Sequence, residues 1–376
     1  METGADIPHD RPLAGLRILE MAALGPLPLA GTLLAGFGAD VVRIQKEPDT
    51  DVAVRSRRVV RLDLKSPEGR AACLDLVSGA DALLEGFRPG TMERLGLGSA
   101  DCHARAPALV YCRMTGWGQD GPLAREAGHD INYIALSGVL GRITRPGERP
   151  VVPLNLIGDY GGGTMTMLFG LMTALWRARA TGQGEVIDAA MIDGAAIMMS
   201  KQFALHGQDQ LGPPGTNLLD GGAFFYDTYV CADGHHVAVG AIEPKFYKSL
   251  LAVLGLTEGD LPPQSDQARW PEGRRIFAET FLTRTRDDWV ARARDKDACL
   301  TPVLDLDEAV AHPHARARNS FHCAEGGAWI PALAPRLASM DGRSLREDRN
   351  SEIPVAEIIA DWRARSAGAT ERKGSK

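Results

Sequence analysis

Two short stretches of this 376-residue chain hold the side chains best suited to moving a proton. One is Gly128-His129-Asp130-Ile131-Asn132-Tyr133, and the other is Asn155-Leu156-Ile157-Gly158-Asp159-Tyr160-Gly161-Gly162-Gly163. A histidine exchanges a proton near neutral pH, and a carboxylate does so when desolvation or a neighbouring anion raises its pKa. Both stretches read as helix starts, with Asp130 and Asp159 suited to the N-cap. A helix start offers unpaired N–H groups and a partial positive charge, which stabilise a nearby anion. His129 and Asp159, thirty residues apart, therefore read as two groups that can flank one carbon and exchange protons with it from opposite sides.

Other chemistries find less support. Cys73, Cys102, Cys112, Cys231, Cys299 and Cys323 are scattered, with no Cys-x-x-Cys and no His/Cys cluster at metal spacing, so they read as thiols in a reducing compartment. The pairs His235-His236 and His312/His314 read as surface residues, so no metal site is expected. The formal charge of −6 argues against a nucleic-acid partner. Glu2, Asp6 and Asp10 do not fit a signal peptide, and the apolar run Thr164–Trp176 is too short to span a bilayer. The expectation is a cytoplasmic protein with no membrane association. Met165 and Met167 suit the core or an acyl-binding wall.

The elements that must position these groups alternate in type. Strands over 16–21, 39–44, 59–64, 82–87 and 108–114 are separated by helices over 29–37, 66–77 and 91–95. Such alternation predicts an α/β fold, a Rossmann-like parallel sheet that binds ligands at its carboxyl strand ends. A long apolar helix over 161–179, a strand over 184–191 and a helix to about 205 follow. A hairpin over 225–231 and 236–241, three helices and a strand over 301–306 form a smaller α+β module. Residues 1–190 and 330–376 are expected to form the large domain, and 226–312 the small one. Residues 191–225 and 313–329 read as linkers. The small, charged residues of 367–376 read as disordered.

Cations collect at the same strand ends: Arg43, Lys46, Arg55, Arg57, Arg58, Arg61, Lys65, Arg88 and Arg94. They suit a phosphate-rich ligand such as a nucleotide or coenzyme A. No Gly-x-Gly-x-x-Gly follows the first strand and there is no Walker A loop, so side chains, not a glycine loop, would hold the phosphates.

The strings Gly128–Tyr133, Pro153–Leu156, Gly158–Gly162 and Gly240-Ala241-Ile242-Glu243-Pro244 resemble the alpha-methylacyl-CoA racemases of the family III CoA-transferase superfamily. So do Leu64-Lys65-Ser66, Glu85–Gly90, Asn217–Ala223 and Asp297–Val303, and the similarity spans about residues 12–335. The resemblance implies a homodimer of two interlocked rings with active sites shared between subunits. It places a two-base pair on His129 and Asp159, a supporting carboxylate on Glu243, and orienting roles on Asp130 and Asn155. Coenzyme A contacts fall on Lys46, Leu62, Lys65, Arg88, Arg94 and the strand end from Tyr111 to Gly116. Coenzyme A is then part of the substrate, and no separate cofactor is implied. The chain departs from the racemase pattern at Gly25-Pro26-Leu27-Pro28-Leu29, in the loop 45–54, and at Lys46, where arginine is usual. The implied reaction is inversion at carbon 2 of a 2-methylacyl-CoA through an enolate. The alternative is CoA transfer with Asp159 as acyl-anhydride nucleophile, for which a second base has no task. A non-catalytic acyl-CoA-binding protein and a dinucleotide-dependent oxidoreductase are weaker rivals.

Overall fold

The computed structural model describes residues 11–47, 54–324, 326–340 and 350–374. The chain divides into two compact units, one formed by Met1–Ser137, Pro153–Met199 and Arg316–Lys376, the other by Gly138–Val152 and Ser200–Ala315.

In the large unit, β1 (Arg17–Met21), β2 (Asp40–Gln45), β3 (Arg58–Arg61), β4 (Ala82–Glu85), β5 (Val110–Thr115) and β6 (Glu185–Ala190) are parallel strands. Helix α1 (Pro26–Gly36) lies between β1 and β2, α2 (Pro67–Val77) between β3 and β4, and α3 (Thr91–Arg94) and α4 (Ser99–Arg105) between β4 and β5. α5 (Asp130–Leu136), a π-helix (Leu156–Met165) and α6 (Thr166–Thr181) lie between β5 and β6, and α7 (Met191–Met198) follows β6. Alternate residues feed opposite faces: Ile18 packs with Leu27, Leu34 and Leu171, while Leu19 and Met21 pack with Leu76, Val77 and Trp362. A sheet buried on both faces explains why these strands are nearly continuous apolar runs.

The strand order is β12-β3-β2-β1-β4-β5-β6, where β12 is Ser351–Glu352, returned from far along the chain. Connections run one way from β1 to β2 and the other way from β4 to β5. The crevice beyond the carboxyl ends of β1 and β4 is therefore the switch point at which such sheets bind ligands.

In the small unit, α8 (Ser200–His206) precedes an antiparallel sheet of β7 (Tyr226–Val230), β8 (His236–Gly240) and β9 (Leu300–Pro302). Helices α9 (Pro244–Leu254), α10 (Trp270–Phe281), α11 (Arg286–Ala293) and α12 (Leu306–Ala311) cover an aromatic core in which Phe224, Phe225, Tyr247 and Phe277 meet edge to face. Helix α13 (Pro313–Ala317) follows at the boundary of the units, while the hairpin of β10 (Phe321–Cys323) and β11 (Trp329–Pro331) and helix α14 (Val355–Gly374) belong to the large unit.

Several expected boundaries move. Residues 138–152 group with the small unit because Arg142 pairs with Asp220 at 3.4 Å and Arg145 pairs with Asp227 at 2.5 Å. The stretch expected as a linker, 191–225, is α7 in the large unit followed by α8 and a hydrogen-bonded turn in the small unit, where Asn217 N and Gly215 N donate to Asp220. The second expected linker, 313–329, carries α13 and β10. Helix α14 runs to Gly374, into the stretch that composition marks as disordered.

Candidate active site

β1 ends in a turn at Gly25, whose φ of 76° suits glycine, and α1 begins immediately with Pro26. A side chain at Gly25 would lie 3.5 Å from Asp159 Oδ2, so the bare backbone brings the end of β1 against that carboxylate. Thr164, fully buried, donates its hydroxyl to Pro26 O at 2.8 Å and ties the π-helix to the same turn.

Asp159 was expected to cap a helix. It lies inside one instead, in the first turn of the ten-residue π-helix, with Asn155 at the cap position. The i→i+5 ladder leaves early N–H groups unpaired, and one of them is met from another segment: Asp159 N donates to Asp130 Oδ2 at 2.8 Å. Asp130, 6% exposed, is thus the anchor of the other segment's helix, while His129 takes the cap position of α5. Asn132 reaches back to accept from His129 N at 3.1 Å. Just before the π-helix, Leu154 has φ 58°, a conformation that branched side chains rarely adopt and that is tolerated where the surrounding structure dictates it.

The π-helix meets α7 backbone to backbone at Gly162 and Gly194. A Cβ on Gly194 would sit 1.9 Å from Gly162 O, and one on Gly162 would sit 2.7 Å from Ala195 N. Gly162, in the middle of the glycine triplet after Asp159, therefore serves backbone packing.

The electrostatics suit a carboxyl group that must both take and give a proton. Partial burial pushes the Asp159 pKa up, and the Asp130 carboxylate adds to the rise. Asn155 Nδ2, donating to Asp159 Oδ2 at 3.0 Å, and the nearby His129 pull it back. Asn155→Ala removes a donor that favours the ionised form. The Asp159 pKa should rise further, and the acid limb of any activity that needs this carboxylate ionised should move to higher pH. An unmoved limb would separate Asn155 from the titration.

Tyr133 is an addition that sequence reasoning did not assign. Its ring fills the space a Cβ would need at Gly116, its hydroxyl donates to Gly128 O, and Trp117 packs edge-on at 4.8 Å. The Tyr133 pKa is raised by burial and then by Asp159 and Asp130. It holds the Gly128–His129 backbone against the end of β5. The signal was available in the glycines at 116 and 128, which leave room for one ring.

The expected cofactor contacts divide. Lys46 follows β2, Leu62 and Lys65 follow β3, Arg88 and Arg94 follow β4, and Gly116 follows β5, so all lie at the carboxyl edge of the sheet. Lys46, Lys65, Arg88 and Arg94 are exposed, with Lys46 3.0 Å from Asp63 and Arg94 donating to Thr91 at 2.9 Å. Tyr111 does not belong with them: it is fully buried and its hydroxyl donates to Leu97 O at 3.0 Å. The wider cation cluster dissolves as well. Arg43 and Arg57 are buried around Glu20, Arg58 pairs with Asp40 and Asp361, and Arg61 pairs with Glu352.

Glu243 lies in the small unit, at the cap position of α9, with its side chain exposed. No group of three or more potential metal ligands occurs among the described residues, and no described helix is long and apolar enough to cross a membrane.

The family profile described as CoA-transferase family III matches residues 13–348. The chain belongs to that family. Alpha-methylacyl-CoA racemase of Mus musculus is 45% identical over 358 residues, which cover 93% of this chain and 93% of the mouse protein. Alpha-methylacyl-CoA racemase of Homo sapiens is 44% identical over 329 residues, 86% of each chain. Among solved structures, a CaiB/BaiF family protein from Brucella suis superposes with a TM-score of 0.78 at 23% identity, covering 94% of this chain and 100% of that one. That likeness establishes the fold of this CoA-transferase family III member.

Proposed function

We propose that this chain is a 2-methylacyl-CoA racemase that inverts carbon 2 by two-base proton transfer. The observation that carries the proposal is the union of His129 and Asp159 in one unit, at the switch point of the sheet, with Asp159 held above the usual carboxylate range. A hydrogen next to a thioester carbonyl is weakly acidic, and its removal leaves an enolate. One group removes the proton from one face and the other returns a proton to the opposite face, so each must be stable in both protonation states. Backbone N–H groups at the start of α5 stabilise the enolate oxygen. Lys46, Leu62, Lys65, Arg88, Arg94 and Gly116 line the coenzyme A path along the strand ends.

We also read the working form as a homodimer in which Glu243 supports His129 of the partner subunit. Its support is an apolar helix face exposed among the described residues: Phe169 (77%), Met172 (42%) and Trp176 (79%) lie along α6 at helical spacing. A reducing, cytoplasmic location fits the six unpaired cysteines, four of them buried.

The test is incubation of (R)- or (S)-2-methylacyl-CoA in deuterium oxide without an acceptor acid. Deuterium entering carbon 2 with loss of optical purity supports the racemase. No exchange, together with CoA transfer to an added carboxylate and an Asp159 adduct trapped by hydroxylamine, would replace it with transferase chemistry.

A further inference from the structure

Glu243 makes no hydrogen bond through its carboxylate to any described residue of the small unit, so its own side chain does not fix its position. The backbone before it must do so. Ala241 is fully buried, and its N–H donates to Phe225 O at 3.0 Å. Ile242 N donates to Gly240 O at 3.1 Å, which closes a three-residue turn, and Gly240 N donates to Cys299 O at 2.9 Å. The carbonyls of Ala241 and Ile242 are left, and one side chain takes both. Gln264 Nε2 donates to Ala241 O at 3.1 Å and to Ile242 O at 3.2 Å. An amide nitrogen has two hydrogens, so its donor capacity is fully used. The backbone of Gln264 is itself pinned, since its carbonyl accepts from Trp270 Nε1 at 2.9 Å. Trp270 is 8% exposed and packs edge-on to Phe225 at 5.7 Å.

We propose that Gln264 is a positioning residue for Glu243: its amide locks the turn from Gly240 to Ile242, and the turn sets the direction in which the Glu243 carboxylate leaves the small unit. The proposal rests on the reading that Glu243 supports the catalytic imidazole. A carboxylate that must meet a group on another subunit gains from a fixed origin, because a displacement of order 1 Å at the reacting groups costs about a hundredfold in rate. The two carbonyls would find water if the amide were absent. The amide adds the constraint that both keep one geometry.

The experiment is a double-mutant cycle on the intact enzyme, with kcat and KM measured for racemisation of a 2-methylacyl-CoA. Gln264→Met keeps the volume and removes both donors. It should lower kcat by about tenfold and leave KM within about twofold, the pattern of a misplaced group acting in the transition state. In the Glu243→Gln background the same substitution should cause no further loss. Trp270→Phe, which frees the Gln264 backbone, should repeat the pattern more weakly. Equal losses in both backgrounds, or a rise in KM with kcat unchanged, would overturn the proposal and leave Gln264 a structural or binding residue. If Glu243→Gln is itself silent, the reading of Glu243 fails first and the proposal falls with it.

Discussion

Asp159→Asn should slow racemisation by about a thousandfold, the scale of a lost general acid–base. His129→Ala should do the same. The two variants should differ in what survives. With one base gone, the other still reaches its own face, so each variant should wash deuterium into one enantiomer without inverting it, and the favoured enantiomer should be opposite in the two. The Asp159 neighbourhood supports a nearly isosteric test, because Asn155 Nδ2 and Asp159 N remain engaged. Chiral chromatography of the recovered thioester with mass spectrometry for deuterium reads both effects. Unchanged racemisation in Asp159→Asn would remove it from the acid–base pair.

Glu20→Gln should destabilise the large unit by about 3–5 kcal/mol, the usual cost of removing one partner from a buried ion pair. Glu20, Arg43 and Arg57 are 0–1% exposed. Glu20 bonds Arg43 through one oxygen and Arg57 Nε at 2.9 Å through the other, while Arg57 also reaches Thr32 and the carbonyls of Pro28 and Arg55. Neutralising Glu20 leaves two guanidiniums in a dry site under α1. Urea unfolding measures the loss. Replacing Glu20, Arg43 and Arg57 together by apolar residues should recover part of it, limited by the Pro28 and Arg55 carbonyls that lose their donor. A wild-type midpoint in Glu20→Gln would show that the cluster contributes nothing to stability.

The same three residues show where sequence reading stops. Arg43 and Arg57 look like phosphate ligands because the strand ends are the right place for them; that both point at Glu20 depends on the register of β1 against β2 and on the course of the chain before β3. Alternation of apolar runs is a local property, and it gave the strands and helices of the sheet up to β5 within a few residues. The short α4 was missed because its polar residues carry no apolar stripe. The π-helix at Asp159 was read as an ordinary helix start, since an i→i+5 ladder has no composition of its own and is fixed by contact with Gly25, Asp130 and α7. His129, Asp159, Asp130 and Asn155 were legible as a group through their motifs; Tyr111 was not legible as a core residue, because its burial follows from packing against Leu97 and Cys102, distant in the chain from its strand's neighbours. Residues 138–152 could be assigned only through ion pairs that span tens of residues.

Strand β12 has a consequence for synthesis. It pairs with β3 through Ser351↔Arg58 and Glu352↔Val59, Asn350 exchanges bonds with Val54 and Arg57, and Trp362 donates to Asp40. While the chain is still emerging from a ribosome, every residue of the small unit is available by Ala315, but the first strands of the large unit wait for residues 350–362. The middle of the chain can therefore become native before its beginning does. During that interval the edge of β3 is bare, a template for pairing with other chains. A nascent chain of this protein has most need of a chaperone at its amino-terminal half, and late in translation.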